Sequence, residues 1–363
     1  MDRGKKHVWL LAMAVVLTAI VLLGCDIGTG SQGGQTDGSA DDSDTDPTGE
    51  PDEPEVPDEE LGYIIADHSV VADYASIPDE YLTVVKGRLV DAAGESHSQA
   101  YRTGMDGSDS LEQVDARFQA VAFDGGLPAP SSDGLRIGRH GSVGEEDFWT
   151  NVAARDDIKA LIAQQHADGN PIHVILQAWC WDFTRTTGAA GNGTNAVDLE
   201  YGCRWYGSSS GGPEGDHIWG LDSSDFEITG NSVSLQTYLD AIDDYNDYCS
   251  SNGYETVAVF TTGPVDGQSA DGEQGYQRYV KHERIREHVR AGEGRVLFDY
   301  ADILAYNDAG ERHMEEWDSH SFPAIHPDND GEQTGHIGHD GALRLAKAMW
   351  WMLARMAGWD GTP

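Results

Sequence analysis

The stretch Pro171-Ile-His-Val-Ile-Leu-Gln-Ala178 has the composition of a buried β-strand, because it is short and largely apolar. A stretch with helical spacing, residues 156–165, precedes it. The same alternation continues along the chain and predicts an α/β domain, with a parallel sheet covered by helices on both faces. The further predicted strands are 88–94, 255–262 and 295–300, and the further predicted helices are 234–249, 277–290 and 341–356.

In a parallel sheet of this kind, functional sites form at the edge where the strands end. The sequence therefore directs attention to the residues just after Gly94, Ala178 and Thr262, and to the loop before the last helix. The length of about 300 residues after residue 60 suits one domain with a substantial core.

The N-terminus has the pattern of an export signal. Basic residues precede the apolar run 8–23, which is too short to span a bilayer comfortably. The run ends in Leu22-Leu-Gly-Cys25, which resembles the bacterial lipobox and implies acylation of Cys25. We expect a signal peptide at 1–24 and a protein lipid-anchored in the cell envelope, facing outside the cytoplasm. An ordinary signal peptide or an uncleaved anchor is the alternative.

Residues 25–60 are rich in Gly, Ser, Thr, Pro and acidic side chains, and they predict a disordered acidic tether before a folded domain at 61–363. The whole chain has a formal net charge of −40. Such a charge repels the phosphates of nucleic acids, so we exclude nucleic acid as a partner.

The strand at 88–94 runs into Gly94-Glu95-Ser96, and a possible helix follows. A tight turn between a strand and a helix exposes a serine hydroxyl and directs backbone N–H groups towards the group that the serine attacks. A free serine needs a base, and His336 lies just ahead of the last helix, where a parallel sheet brings it over the first turn. Ser96 as a simple helix cap is the alternative.

These blocks resemble the SGNH (GDSL-like) hydrolase superfamily. Gly94-Glu-Ser96 stands where that family has Gly-Asp-Ser, and residues 336–342 match its terminal His-containing block. The resemblance implies a flavodoxin-like three-layer α/β/α sandwich and a serine esterase without a cofactor or a metal. It makes Ser96 the nucleophile and His336 the base, and it places the oxyanion between the N–H groups of Ser96 and Gly141.

The chain also departs from that family. Glu95 replaces the family's Asp, and the block after the middle strand lacks the Asn that donates to the oxyanion. Gln333 occupies the position where the family has the Asp of its triad. Asp330 or Asp328 would then orient His336 from a longer loop, unless a backbone carbonyl does so.

Trp179, Trp181 and Asp182 follow the middle strand and are candidate substrate-binding residues, with packing into the core as the alternative for the tryptophans. The Gly-rich stretch 184–220 carries aromatic residues that suit stacking on sugar rings or on the domain itself. We therefore expect the substrate to be a small acyl ester, most readily one on a glycan.

Two other functions stay open: a non-catalytic glycan-binding lipoprotein on the same fold, and a calcium-stabilised adhesion or scaffold protein. The turn 326–331 has carboxylates suited to calcium, and the pair His336/His339 has zinc-like spacing, although neither shows a full metal motif. Export permits one disulfide among the remaining cysteines, and the pair Cys203–Cys249 is favoured.

Overall fold

In a computed structural model of the chain, the structure describes residues 62–94, 96–107, 109–131, 134–140, 147–150, 152–179, 196–197, 204–205, 235–265 and 272–362. The strands are β1 (Ile64–Ala66), β2 (Leu89–Ala93), β3 (Ala120–Phe123), β4 (Leu135–Gly138), β5 (Val174–Gln177), β6 (Ala196–Val197), β7 (Arg204–Trp205), β8 (Val257–Thr261), β9 (Val296–Phe298), β10 (Met314–Trp317), β11 (His320–Pro323) and β12 (Asp330–Thr334). The helices are α1 (Asp79–Lys86), α2 (Ser98–Thr103), α3 (Leu111–Val114), α4 (Asp147–Thr150), α5 (Val152–Ala167), α6 (Gln236–Asn252), α7 (Gly272–Arg290), α8 (Tyr300–Ala305) and α9 (His339–Arg355).

Seven of these strands form one parallel sheet in the order β1-β9-β8-β5-β2-β4-β3. The register is explicit at its centre, where Val90 of β2 pairs with Val174 of β5 on one side and with Ile137 of β4 on the other. All seven strands therefore end at the same side of the sheet, called the carboxyl edge below. The α/β architecture and the four predicted strands are confirmed.

Helices cover both faces of the sheet, because each face is apolar. One core cluster joins the sheet to α1, α2 and α9, through side chains such as Leu82, Tyr101 and Trp350. The other cluster joins the opposite face to α5, α6 and α7, through side chains such as Ile158 and Tyr245. The predicted arrangement of a sheet between two helical layers is confirmed.

The preference for a Cys203–Cys249 disulfide is wrong. Cys249 is a free, buried thiol on α6, where burial raises its pKa to about 11. Cys249 packs among apolar side chains of the second cluster and behaves as a small core residue. Cys25, Cys180, Cys203 and the predicted tether lie outside the described residues. Among the described residues no helix is long and apolar enough to cross a membrane.

Candidate active site

The central strand β2 ends in a turn that only glycine fits well. Gly94 has a φ of +120°, and a Cβ at this position would lie 2.7 Å from the carbonyl oxygen of Ala178, which follows the neighbouring strand β5. The turn is therefore packed tightly against the end of β5 and delivers Ser96 to the carboxyl edge. Glu95 lies outside the described residues.

Ser96 is exposed, and its hydroxyl makes no hydrogen bond with the described part of the chain. The carbonyl of Ser96 accepts the N–H of Gln99 at 3.1 Å, which begins the first turn of α2. The N-cap residue of this helix is His97, and no side chain caps it. The alternative role of Ser96 as a helix cap is therefore not seen, and its hydroxyl is available for other contacts.

His336 lies at the tip of a tight turn between Thr334 and Ile337, which form an isolated β-bridge. Gly335 and His336 have φ values of +61° and +66°, as in a type I′ turn. A positive φ is uncommon for a residue other than glycine and costs on the order of 1 kcal/mol, and such strain clusters at functional sites.

The turn that carries His336 lies against the start of α2. A Cβ on Gly335 would meet the carbonyl oxygen of Ser96 at 2.8 Å and the nitrogen of Ala100 at 2.9 Å, so the two backbones are in close contact. The His336 ring lies 5.0 Å from the ring of His97, between ring centroids. The structure thus brings together two segments that are far apart in sequence, as expected for Ser96 and His336.

The carboxylate that His336 contacts is Glu332. The His336 Nδ1 atom lies 3.1 Å from the Oε2 atom of Glu332, and both side chains are substantially exposed, at 40% and 83%. Asp330 instead accepts the N–H of Gly331 at 2.9 Å and makes no hydrogen bond or ion pair with His336. Asp328 lies beside His326, at 3.4 Å. Sequence reasoning missed Glu332, whose position four residues before His336 was the available signal.

A second histidine–carboxylate pair is buried beside the nucleophile strand. Asp91, at the centre of β2, is 1% exposed, and both of its oxygens contact His140, which follows β4. The backbone N–H of His140 donates to Oδ1 at 3.0 Å, and the ring Nδ1 lies 2.5 Å from Oδ2. Burial opposes a charge on the ring, but the Asp91 carboxylate outweighs it and raises the pKa of His140 above 6.5. The sequence signal for this pair was a lone carboxylate inside an apolar strand.

The remaining predicted residues divide into one core residue and several that are not described. Trp179 is 2% exposed, and its indole N–H donates to the carbonyl of Thr261 at 3.0 Å. It packs against Trp149 and Tyr238, so of the two roles expected for Trp179 the structure shows packing into the core. Gly141, Trp181 and Asp182 lie outside the described residues, as does most of the stretch 184–220.

One group of side chains has metal-compatible geometry. Asp67, His68 and Asp302 offer ligand atoms that all lie within 4.8 Å of one another, near the ends of β1 and β9. The Nδ1 of His68 already contacts Asp302, and its ring stacks on Tyr306 at 3.5 Å, so these groups pair with each other. Burial, with help from Asp302, raises the pKa of Asp67 to about 6. Within the described ranges, neither the 326–331 turn nor the pair His336/His339 gathers three such ligands.

Comparisons with known proteins supply no relative. No family model matches the chain. No curated protein and no solved structure matches it. The site must therefore be interpreted from its own residues.

Proposed function

We propose that the protein is a serine esterase of the SGNH type, tethered to the cell envelope through Cys25. The observation that carries the proposal is the contact between the His336 turn and the backbone of Ser96. It places a strained histidine next to an exposed serine at the carboxyl edge, with a carboxylate on the Nδ1 side of the ring.

The strand order of the sheet supports the proposal that the fold is flavodoxin-like, as in the SGNH family. Numbered along the chain, the five strands β2, β4, β5, β8 and β9 lie in the spatial order 2-1-3-4-5, which is the flavodoxin-like order. Strand β1 extends this set beside β9, and β3 extends it beside β4. In that order, ligands bind where connections leave the first and third strands in opposite directions. Ser96 follows the first of these strands and therefore stands at the expected place.

In the proposed reaction, the Ser96 oxygen attacks the carbonyl carbon of an ester while His336 Nε2 takes its proton. Glu332 holds the Nδ1–H and keeps the ring in the required tautomer. The N–H groups of Ser96 and Gly141 stabilise the oxyanion. The alcohol leaves with the proton from His336, and water then releases the acyl group by the reverse sequence of proton transfers.

A glycan-binding protein without catalytic activity is the second candidate. The observation that favours it is the Ser96 hydroxyl, which makes no hydrogen bond to His336 or to any other described residue. In esterases without substrate this hydrogen bond is often long, so the esterase remains the first proposal.

Hydrolysis of a short-chain aryl ester by the full-length chain in detergent tests the proposal. We expect Ser96→Ala to reduce kcat by about a thousandfold or more. Ser250→Ala is the matched control, because Ser250 is an exposed serine on α6. If Ser96→Ala and Ser250→Ala retain equal activity, Ser96 is not the nucleophile. If the folded wild-type chain hydrolyses no ester, the binding protein becomes the better account.

A further inference from the structure

Arg139 lies beside the turn that carries Ser96. It follows β4 directly, and its Nη1 donates to the carbonyl of Gly94 at 3.3 Å while its Nε donates to the carbonyl of Asp124 at 3.1 Å. Gly94 is two residues before Ser96, and two residues span at most about 7 Å. The half-buried guanidinium is therefore within the length of a small substrate from the proposed nucleophile.

Within the described ranges, no carboxylate pairs with the charge of Arg139. The neighbouring cation Arg102 pairs with Asp124 at 2.6 Å, and His140 pairs with Asp91. Arg139 makes no ion pair with any carboxylate of the described residues, and its Nη2 makes no hydrogen bond with them. Burial is the main cause that lowers the pKa of Arg102, and the positive charge of Arg139 lowers it further. The two guanidiniums therefore lie close together. Among the described residues, Arg139 thus adds a positive charge at this point that no carboxylate pairs with.

We propose that Arg139 binds a carboxylate of the substrate, so that the ester cleaved at Ser96 belongs to a sugar acid. This inference rests on the proposed esterase and names its substrate class. A planar guanidinium with N–H groups left on Nη1 and Nη2 matches the two oxygens of a carboxylate, which an ammonium group does not. The backbone carbonyls of Gly94 and Asp124 fix the plane of the guanidinium, so little side-chain entropy is lost on binding.

Two acetylated sugars that differ only at C6 test the inference on the full-length chain: acetylated methyl glucuronoside and acetylated methyl glucoside. We expect wild type to favour the glucuronoside in kcat/KM by about tenfold or more at low salt, because a charge-assisted pair is roughly twice as strong as a neutral hydrogen bond. We expect a smaller preference at high salt.

In Arg139→Gln the preference should fall to about one, because kcat/KM for the glucuronoside should fall about tenfold further than kcat/KM for the glucoside. Arg139→Lys should retain part of the preference, because it keeps the charge without the planar fork. Arg117→Gln is the matched control, since Arg117 is a surface arginine paired with Asp115. Equal losses for both sugars in Arg139→Gln, or no preference in wild type, would overturn the inference.

Calorimetric binding separates this inference from the esterase proposal, because it needs no hydrolysis. We expect the Ser96→Ala chain to bind methyl glucuronoside more tightly than methyl glucoside, and the double variant with Arg139→Gln to bind both equally. Selective binding that depends on Arg139, in a wild-type chain without esterase activity, would retain the carboxylate site and reject the esterase. Binding that does not distinguish the sugars rejects the carboxylate site whether or not esters are hydrolysed.

Discussion

Replacing Glu332 by Gln should reduce kcat for a short-chain aryl ester only slightly. The contact between Glu332 and His336 joins side chains that are 83% and 40% exposed, so water screens it strongly. Exposed pairs of this kind contribute about 0.2–1 kcal/mol, which corresponds to a loss of about 1.4-fold to fivefold in rate. Loss of a buried triad aspartate, in contrast, costs about 10⁴-fold.

The assay compares kcat for wild type, Glu332→Gln and Asp330→Asn at low and high salt. Asp330→Asn should leave kcat unchanged, because the Asp330 carboxylate accepts the N–H of Gly331 and does not contact His336. The difference between wild type and Glu332→Gln should shrink at high salt. A loss of a thousandfold in Glu332→Gln, or a larger loss in Asp330→Asn than in Glu332→Gln, would refute the assignment of Glu332 as an exposed orienting group.

Three further variants test other parts of the account. Gly169→Ala should lower the free energy of unfolding by about 1 kcal/mol, because its φ is positive, and Gly335→Ala should lower it by more, because its φ is also positive and its Cβ would clash with backbone. Only Gly335→Ala should also lose esterase activity, since its Cβ would displace the turn from Ser96, whereas nothing lies within 4 Å of a Cβ at Gly169. His140→Gln should cost about 3 kcal/mol in denaturant unfolding below about pH 6. The raised pKa of His140 contributes stability that is fully present below 6.5 and lost as the pH rises through the folded pKa, so the cost should be smaller at about pH 9, and an equal cost at both pH values would contradict the charged pair. Cys25→Ser should abolish incorporation of labelled fatty acid in the bacterial host, and continued labelling would contradict the lipid anchor.

The elements predicted from the sequence are those whose pattern is long or strongly apolar. The buried runs of β5 and β8 and the amphipathic spacing of α6 and α9 were recognisable because burial on a parallel sheet imposes continuous apolar strands. Strands β1, β3 and β4 of the sheet were missed. β1 has three residues, and β4 includes the buried Arg136, whose guanidinium donates to Asn170 and to the carbonyl of Gly87. A strand of three residues and a strand that contains a buried arginine cannot be recognised from the sequence without knowing which residues they contact in the fold.

The residues of the candidate site also divide into those that a local sequence motif could reveal and those that only the fold brings together. Ser96 and His336 could be found because their local motifs occur on the expected elements. The contact of His336 with Glu332 depends on the path of β12 and the turn after it, and the pair Asp91–His140 depends on two strands being neighbours in the sheet. Both contacts depend on how the chain folds, so the spacing of these residues along the sequence did not reveal them. Trp179 was ambiguous for a related reason, because a strand-end tryptophan turns inward or outward according to its neighbours.

Labelling with a fluorophosphonate tests the central claim most directly, because the reagent forms a covalent adduct only with an activated serine. The full-length wild-type chain should gain one adduct, and peptide mapping by mass spectrometry should place it on Ser96. Ser96→Ala should gain none, and His336→Ala should react far more slowly. A folded wild-type chain that gains no adduct, or that carries it on another serine, would contradict the assignment of Ser96 as the nucleophile of an esterase.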